Sequence, residues 1–204
     1  MPPRARFTAE RILDAAYLLT QTDGIGMVTA RNIASTLGCS TGPIFTHFAS
    51  MDALFEQLMD RIISAFVTRA SAFRDDDPLI AAGVGWLQFA VEEPKLYEAV
   101  FLRPHPWHAK WGPVRRLLAD EMRSHSRYAH LDESTRFALV GRASIVMHGL
   151  GVELWSGRLP NQNNLRKLIQ ELAGPVVETA ISKGWHTDLH ARQPQQNPSN
   201  PQEN

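Results

Sequence analysis

Apolar positions recur with a helical period along almost the whole chain. Ile12, Leu13, Ala16 and Leu19 form one stripe behind Thr8, whose hydroxyl suits an N-cap, and Asp23-Gly24 supplies a stop. This spacing predicts a first helix over about 8–22. A short loop over 25–28 leads to a second N-cap, Thr29, after which Ile33, Ala34 and Leu37 share a face and Gly38 offers the left-handed stop. Ser40 is expected to cap the next helix, with Pro43 in its first turn, where a missing N–H costs little, and Ile44 and Phe48 facing inward. Two short helices joined by a tight glycine-containing turn are a helix-turn-helix pattern, and a second helix so presented is suited to a DNA major groove.

The remaining pattern is also helical. Ser50 caps a long predicted helix over 51–74, in which Leu54, Leu58, Ile62, Phe66 and Ala70 recur every four residues and Asp75-Asp76-Asp77-Pro78 ends the run. Helices follow over 79–91 and over 94–102, where Pro94 leads. A Pro- and Trp-rich loop is expected over 103–113, then helices over 114–130, 132–155 and 164–183, with a break at 157–160. Strand signals are nearly absent, so the predicted fold is all-α. The final stretch, ARQPQQNPSNPQEN, has three prolines among Gln and Asn without an apolar anchor and is expected to be a disordered tail.

Composition narrows the class and complicates the DNA reading. The chain has 204 residues, 44% of them hydrophobic and 21% charged, as in a globular protein, and no unbroken apolar run approaches the roughly 18 residues a membrane span needs. The start lacks a continuous apolar signal core, so a cytoplasmic address without a membrane partner is expected. The single Cys39 forms no internal disulfide and is expected to be a small buried hydrophobe in the turn. Net charge is zero, and residues 1–55 balance four arginines (Arg4, Arg6, Arg11, Arg31) against four acids (Glu10, Asp14, Asp23, Asp52). Any affinity for a polyanion must therefore come from placement and not from bulk charge.

The coupled positions ERILDAA, Gly24, Thr29-Ala30-Arg31-Asn32-Ile33-Ala34, Leu37-Gly38-Cys39-Ser40, Ile44-Phe45-Thr46-His47-Phe48 and Leu54 together resemble the DNA-binding domain of the TetR family of one-component transcriptional regulators. The resemblance implies a DNA-binding domain over 1–50, a helical ligand-binding and dimerisation domain over 51–190, and the tail over 191–204. It implies that Arg31 reaches a base or phosphate, that Thr41, Gly42 and Pro43 form the exposed front of the recognition helix, that Thr29 and His47 face phosphates, and that Thr46 lies at the groove edge. Ser40 is a cap near the same surface. Two positions depart from the family pattern: Phe45 replaces a usual Tyr and Met51 a usual Lys, each removing a phosphate contact. Arg4 and Arg6 are candidates to compensate. The resemblance further implies a homodimer built through the last two long helices, with a double-stranded operator as partner.

A released regulator needs a second site. The aromatic, thioether and imidazole groups of the body, Trp86, Phe89, Tyr97, Phe101, Trp107, Trp111, Met122, His125, Met147 and His148, are the candidates for a small, largely apolar ligand. Trp107 and Trp111 mark the expected pocket mouth. Gly149 and Gly151 interrupt an apolar helix, each at a cost of about 1 kcal/mol relative to alanine, which implies close helix packing or room for a ligand. No P-loop, dinucleotide fingerprint, GxSxG or HExxH occurs, so no enzyme and no cofactor is expected. His186 with His190, and His105 with His108, lack the third ligand a metal site needs. The expected function is a ligand-responsive, DNA-binding repressor; the alternative is a small-molecule binder of the same fold with weak or lost DNA binding.

Overall fold

A computed structural model describes residues 7–103, 110–159 and 164–183, and among them every regular element is helical. Helix α1 (Ala9–Asp23) starts where the Thr8 hydroxyl accepts from the Arg11 N–H, and it stops at Gly24, whose φ of 92° only glycine adopts readily. A single 3₁₀ turn, Ile25–Met27, leads to α2 (Ala30–Leu37) and α3 (Gly42–His47). Helix α4 (Met51–Ala72), capped by Ser50 on the Ala53 N–H, runs 22 residues, about 33 Å at 1.5 Å per residue.

The body is built on α5 (Pro78–Glu92), α6 (Pro94–Tyr97) continued by a π-helical turn over Glu98–Leu102, α7 (Trp111–Glu121), α8 (Glu133–Trp155), α9 (Leu165–Leu172) and α10 (Gly174–Lys183). Three apolar clusters hold it. The first joins α1 to α4 through Ile12, Ile33, Ile44, Phe48, Leu54 and Leu58 and extends without interruption to Phe66, Phe89 and Tyr97. The second packs α5, α8 and α9 around Leu87, Met147 and Ile169; the third packs α7, α8 and α10 around Met122, Leu139 and Val177.

Several boundaries differ from the sequence expectation. Trp111 to Pro113 belong to α7 and not to the preceding loop, because a proline in a first turn forfeits no helical hydrogen bond. That helix ends at Glu121, followed by a 3₁₀ turn over Met122–Ser124 and not by helix to residue 130. The expected helix over 164–183 is two helices, broken where Pro175 has no N–H to return to the previous turn. Ser40 does not cap α3: the helix begins one residue later, behind Thr41.

By length and composition α8 could cross a membrane, through its mean hydropathy and not through an unbroken apolar run. It packs between α5 and α7, and its buried arginines are satisfied locally, Arg136 Nε donating to the Ala119 carbonyl at 3.0 Å and Arg142 to the Ala138 carbonyl at 3.1 Å. The tail over 191–204, Arg4, Arg6, the histidine pairs and Trp107 lie outside the described residues.

Candidate nucleic-acid interface and cavity

Helix α2 is held by side-chain bonds at its start. Thr29 Oγ1 accepts from the Asn32 N–H at 3.1 Å, and the Asn32 amide donates back to the Met27 carbonyl at 2.8 Å, locking the incoming turn. Gly38 ends α2 in the left-handed region (φ 65°, ψ 42°), and the Cys39 N–H returns to the Ala34 carbonyl. Cys39 itself is half-buried. The turn aims α3 so that Ile44 and Phe48 are buried, which turns the opposite face outward.

Thr29, Arg31, Ser40, Thr41, Gly42, Phe45, Thr46 and His47 are exposed, and Pro43 is half-buried. Among the described residues Arg31 has no ion-pair or side-chain hydrogen-bond partner, so its guanidinium is uncommitted. Thr46 Oγ1 donates to the Gly42 carbonyl at 3.1 Å, and His47 Nε2 bonds the Phe7 carbonyl at 2.8 Å, tethering the start of the chain to the end of α3. Thr29 and His47 thus have structural work of their own. Met51 packs against the N-terminal core, which explains an apolar residue in the first turn of α4.

Helix α4 runs from this region into the body, and polar bonds tie its flanks. Arg61 pairs with Asp14 of α1. Glu93, nearly buried between α5 and α6, accepts from Arg69 of α4 at 2.8 Å and from Gln21 of α1 at 2.9 Å.

In the body, α4, α5, the π-helical turn, α7 and α8 enclose a cavity of about 740 Å³, within the usual range for small-molecule sites. Its wall is an aromatic cluster: Phe66 meets Trp86, Phe101 and Trp111 edge-on at 5.2 to 5.6 Å, while Phe101 and Trp111 stack at 5.0 Å. A π-helical turn shifts residue phase within a helix and so re-aims Val100 and Phe101 toward this space.

Of the candidates read from sequence, Trp86, Phe101, Trp111, Met147 and His148 line the cavity; Phe89, Tyr97, Met122 and His125 do not. Phe89 is buried behind the wall, edge-on to Phe66. Tyr97 is fully buried, its hydroxyl 3.4 Å from the His148 carbonyl. Met122 and His125 fall beyond the end of α7, where the change of backbone phase turns them into the third core and the following turn; His125 Nδ1 accepts from the Arg127 N–H.

Lining residues absent from the candidate set include Phe66, Phe73, Leu117, Ile145, Arg74 and Arg115. Phe66 had a sequence signal as part of the α4 stripe, but its role as the hub of the wall depends on which helices cross it. Leu117 and Ile145 are about half-exposed at this face. Arg103, also lining, is engaged by Glu98 at 2.7 and 3.0 Å, and Asp75 by Arg166, whose hydrogen bond holds that carboxyl below the usual range. Burial pushes the Tyr97 phenol up to about 12, and the nearby Trp86 indole opposes this. Partial burial at the cavity lowers the pKa of the His148 imidazole by desolvating its charged form. Among the described residues no three His, Cys, Asp or Glu converge as a metal site.

Residues 12–58 match the family described as bacterial regulatory proteins, tetR family. The uncharacterized HTH-type transcriptional regulator YobS of Bacillus subtilis is 21% identical over 109 residues, 52% of this chain and 57% of that protein. The nucleoid occlusion factor SlmA of Vibrio campbellii is 35% identical over 69 residues, 33% of this chain and 35% of that protein. The chain thus spans roughly a third to a little over half the length of these relatives. A TetR-like transcriptional regulator from Rhodococcus sp. RHA1 shares the fold, with a TM-score of 0.52 and 19% identity over 90% of this chain and 97% of that one.

Proposed function

With residues 12–58 placing this chain in the tetR family of bacterial regulatory proteins, we propose that it is a cytoplasmic, ligand-responsive repressor that releases a double-stranded operator when a small, largely apolar molecule fills the aromatic cavity. The observation that carries this reading is one continuous helix, α4, with an uncommitted groove-sized helix and a free Arg31 near its start and the cavity wall at Phe66 and Val67 near its end. Ligand occupancy favours one α4 position over another, and only a ligand that binds the two states differently shifts their populations. No catalytic step is assigned to the cavity.

Two recognition helices must meet half-sites about 34 to 36 Å apart, so the repressor acts as a homodimer. Support for a face on α8 and the C-terminal helices comes from the exposed apolar Leu172 of α9. In this reading the DNA-binding unit spans 1–50, the ligand-binding and dimerisation unit 51–190, and the tail 191–204. Arg31 and the α3 front select sequence, with Thr29 and His47 at phosphates.

The test is selection of random duplexes by the purified protein, repeated with Arg31→Ala. A recovered consensus that weakens or relaxes in the variant supports the reading. Absence of any duplex preference at low ionic strength sinks it and leaves the second reading, a small-molecule binder without an operator, which the uncharged α3 and the apolar Met51 favour.

A further inference from the structure

The outer face of α3 is unusual in what it lacks. Residues 40–48, STGPIFTHF, contain no Arg, Lys, Asn, Gln, Asp or Glu, so none of the side chains that bond a base edge bidentately is present. Within the helix, Thr46 is engaged by the Gly42 carbonyl and His47 Nε2 by the Phe7 carbonyl, and the exposed Ser40 and Thr41 hydroxyls lie before its first residue. What α3 does present is an aromatic ring: Phe45 is 50% exposed and belongs to none of the three apolar clusters.

Beside that ring is a notch. Gly42, three residues earlier and so on a neighbouring part of the helix surface, directly precedes Pro43 within α3, where a Cβ would press on the proline ring. Glycine removes that clash, and beyond its chain neighbours a Cβ would meet only Ser40 Oγ at 3.7 Å, so the surface there is open. The missing side chain leaves room beside the Phe45 ring.

Building on the DNA-binding reading above, we propose that the operator is recognised chiefly through thymine 5-methyl groups, Phe45 packing on one in each half-site while the Gly42 gap lets α3 approach the groove wall. In the major groove the edges of the base pairs offer hydrogen-bond donors and acceptors, and the thymine methyl is their apolar feature. A phenyl ring has no atom to donate to a phosphate and gains by covering that methyl. The operator is thus a duplex with a fixed thymine in each half-site.

The experiment uses the full-length protein and the duplex recovered by selection from a random pool. Each thymine is replaced singly by deoxyuridine, which removes only the methyl. At one position per half-site the wild-type protein should lose about 3- to 10-fold in affinity, and Phe45→Ala should bind the two duplexes alike there. Circular dichroism confirms that the variant folds. If the selected duplex is bound but no deoxyuridine changes its affinity, or if Phe45→Ala keeps the full methyl sensitivity, the proposal is overturned and the DNA-binding reading stands. If the wild type prefers no duplex at all, the DNA-binding reading itself fails and the proposal falls with it.

Discussion

The Tyr97 hydroxyl occupies the space that a side chain at position 151 would need: a Cβ on Gly151 would stand 2.2 Å from the phenol oxygen and 2.8 Å from Cζ. This contact seats α6 against α8 and gives one of the two α8 glycines a reason within the chain. Because Tyr97 is fully buried, its ring has no free space into which to swing. Gly151→Ala should therefore destabilise the protein by about 1–3 kcal/mol in urea melts, and the loss should shrink in a Tyr97→Phe background. Equal losses in both backgrounds would show that the hydroxyl is not the obstacle.

A second close approach joins α4 to α5. A Cβ on Gly85 would stand 2.4 Å from Ala70 Cα and 2.8 Å from the Ala70 carbonyl oxygen. Backbone cannot rotate out of the way, so Gly85→Ala must separate the helices, at an expected cost of about 3 kcal/mol. Gly149→Ala is the contrasting case: nothing lies within 4 Å, and the chain should gain up to about 1 kcal/mol from helix propensity. A denaturant midpoint that falls for residue 85 and rises for residue 149 is the expected pair of results.

Asp77 organises the far end of the body. Its carboxylate caps α5 on the Leu79 N–H and accepts from the buried Tyr128 hydroxyl at 2.7 Å and from Arg127 at 2.7 Å, while Arg127 also pairs with Glu178 of α10. Tyr128→Phe removes one donor from a nearly buried carboxylate and should cost about 1–3 kcal/mol. Its phenol is raised by burial and by the adjacent Asp77, so the hydroxyl stays protonated as a donor through neutral pH. Thermal unfolding at neutral pH tests the cost; an unchanged midpoint would mean that water replaces the lost bond.

Acid should loosen the contact between the α4–α5 turn and α9. Arg166 holds the Asp75 carboxyl below its ordinary value, so the folded state binds the proton less readily than the unfolded chain. For such a depressed carboxylate the stabilisation is complete above the unfolded value, about 3.9, and is lost as pH falls through the folded one. Arg166→Ala should be less stable than wild type at pH near 7, with the gap closing in strong acid. A gap independent of pH, measured by urea melts along the series, would assign the loss to packing.

Glu93 links the reading head to the body. Removing its carboxylate strands Gln21 and leaves Arg69 with Glu92 alone. Glu93→Ala should cost about 1–3 kcal/mol and speed amide hydrogen exchange along the second half of α1 more than in α8. Uniform acceleration in both helices would show a global loss of stability and no special tie.

The helical class, the caps at Thr8, Thr29 and Ser50, the left-handed Gly38, and the inward set of Ile33, Ile44, Phe48 and Leu54 were all legible in the chain, because propensity, capping and periodicity act over a few neighbouring residues. The helix-turn-helix was legible for the same reason, its parts lying within about twenty consecutive positions. The cavity was legible only in its chemistry. Trp86, Phe101, Trp111, Met147 and His148 meet there, whereas Phe89, Tyr97, Met122 and His125, of the same residue types, are spent on packing or on local bonds. Local pattern carries no information about which helices cross or at what phase, and the π-helical turn at Glu98–Leu102 and the end of α7 at Glu121 alter that phase. Tertiary structure alone decided that Gly151 receives Tyr97 while Gly149 faces open space: two glycines in one helix, two residues apart, point about 160° from each other, and only the neighbouring helix tells them apart.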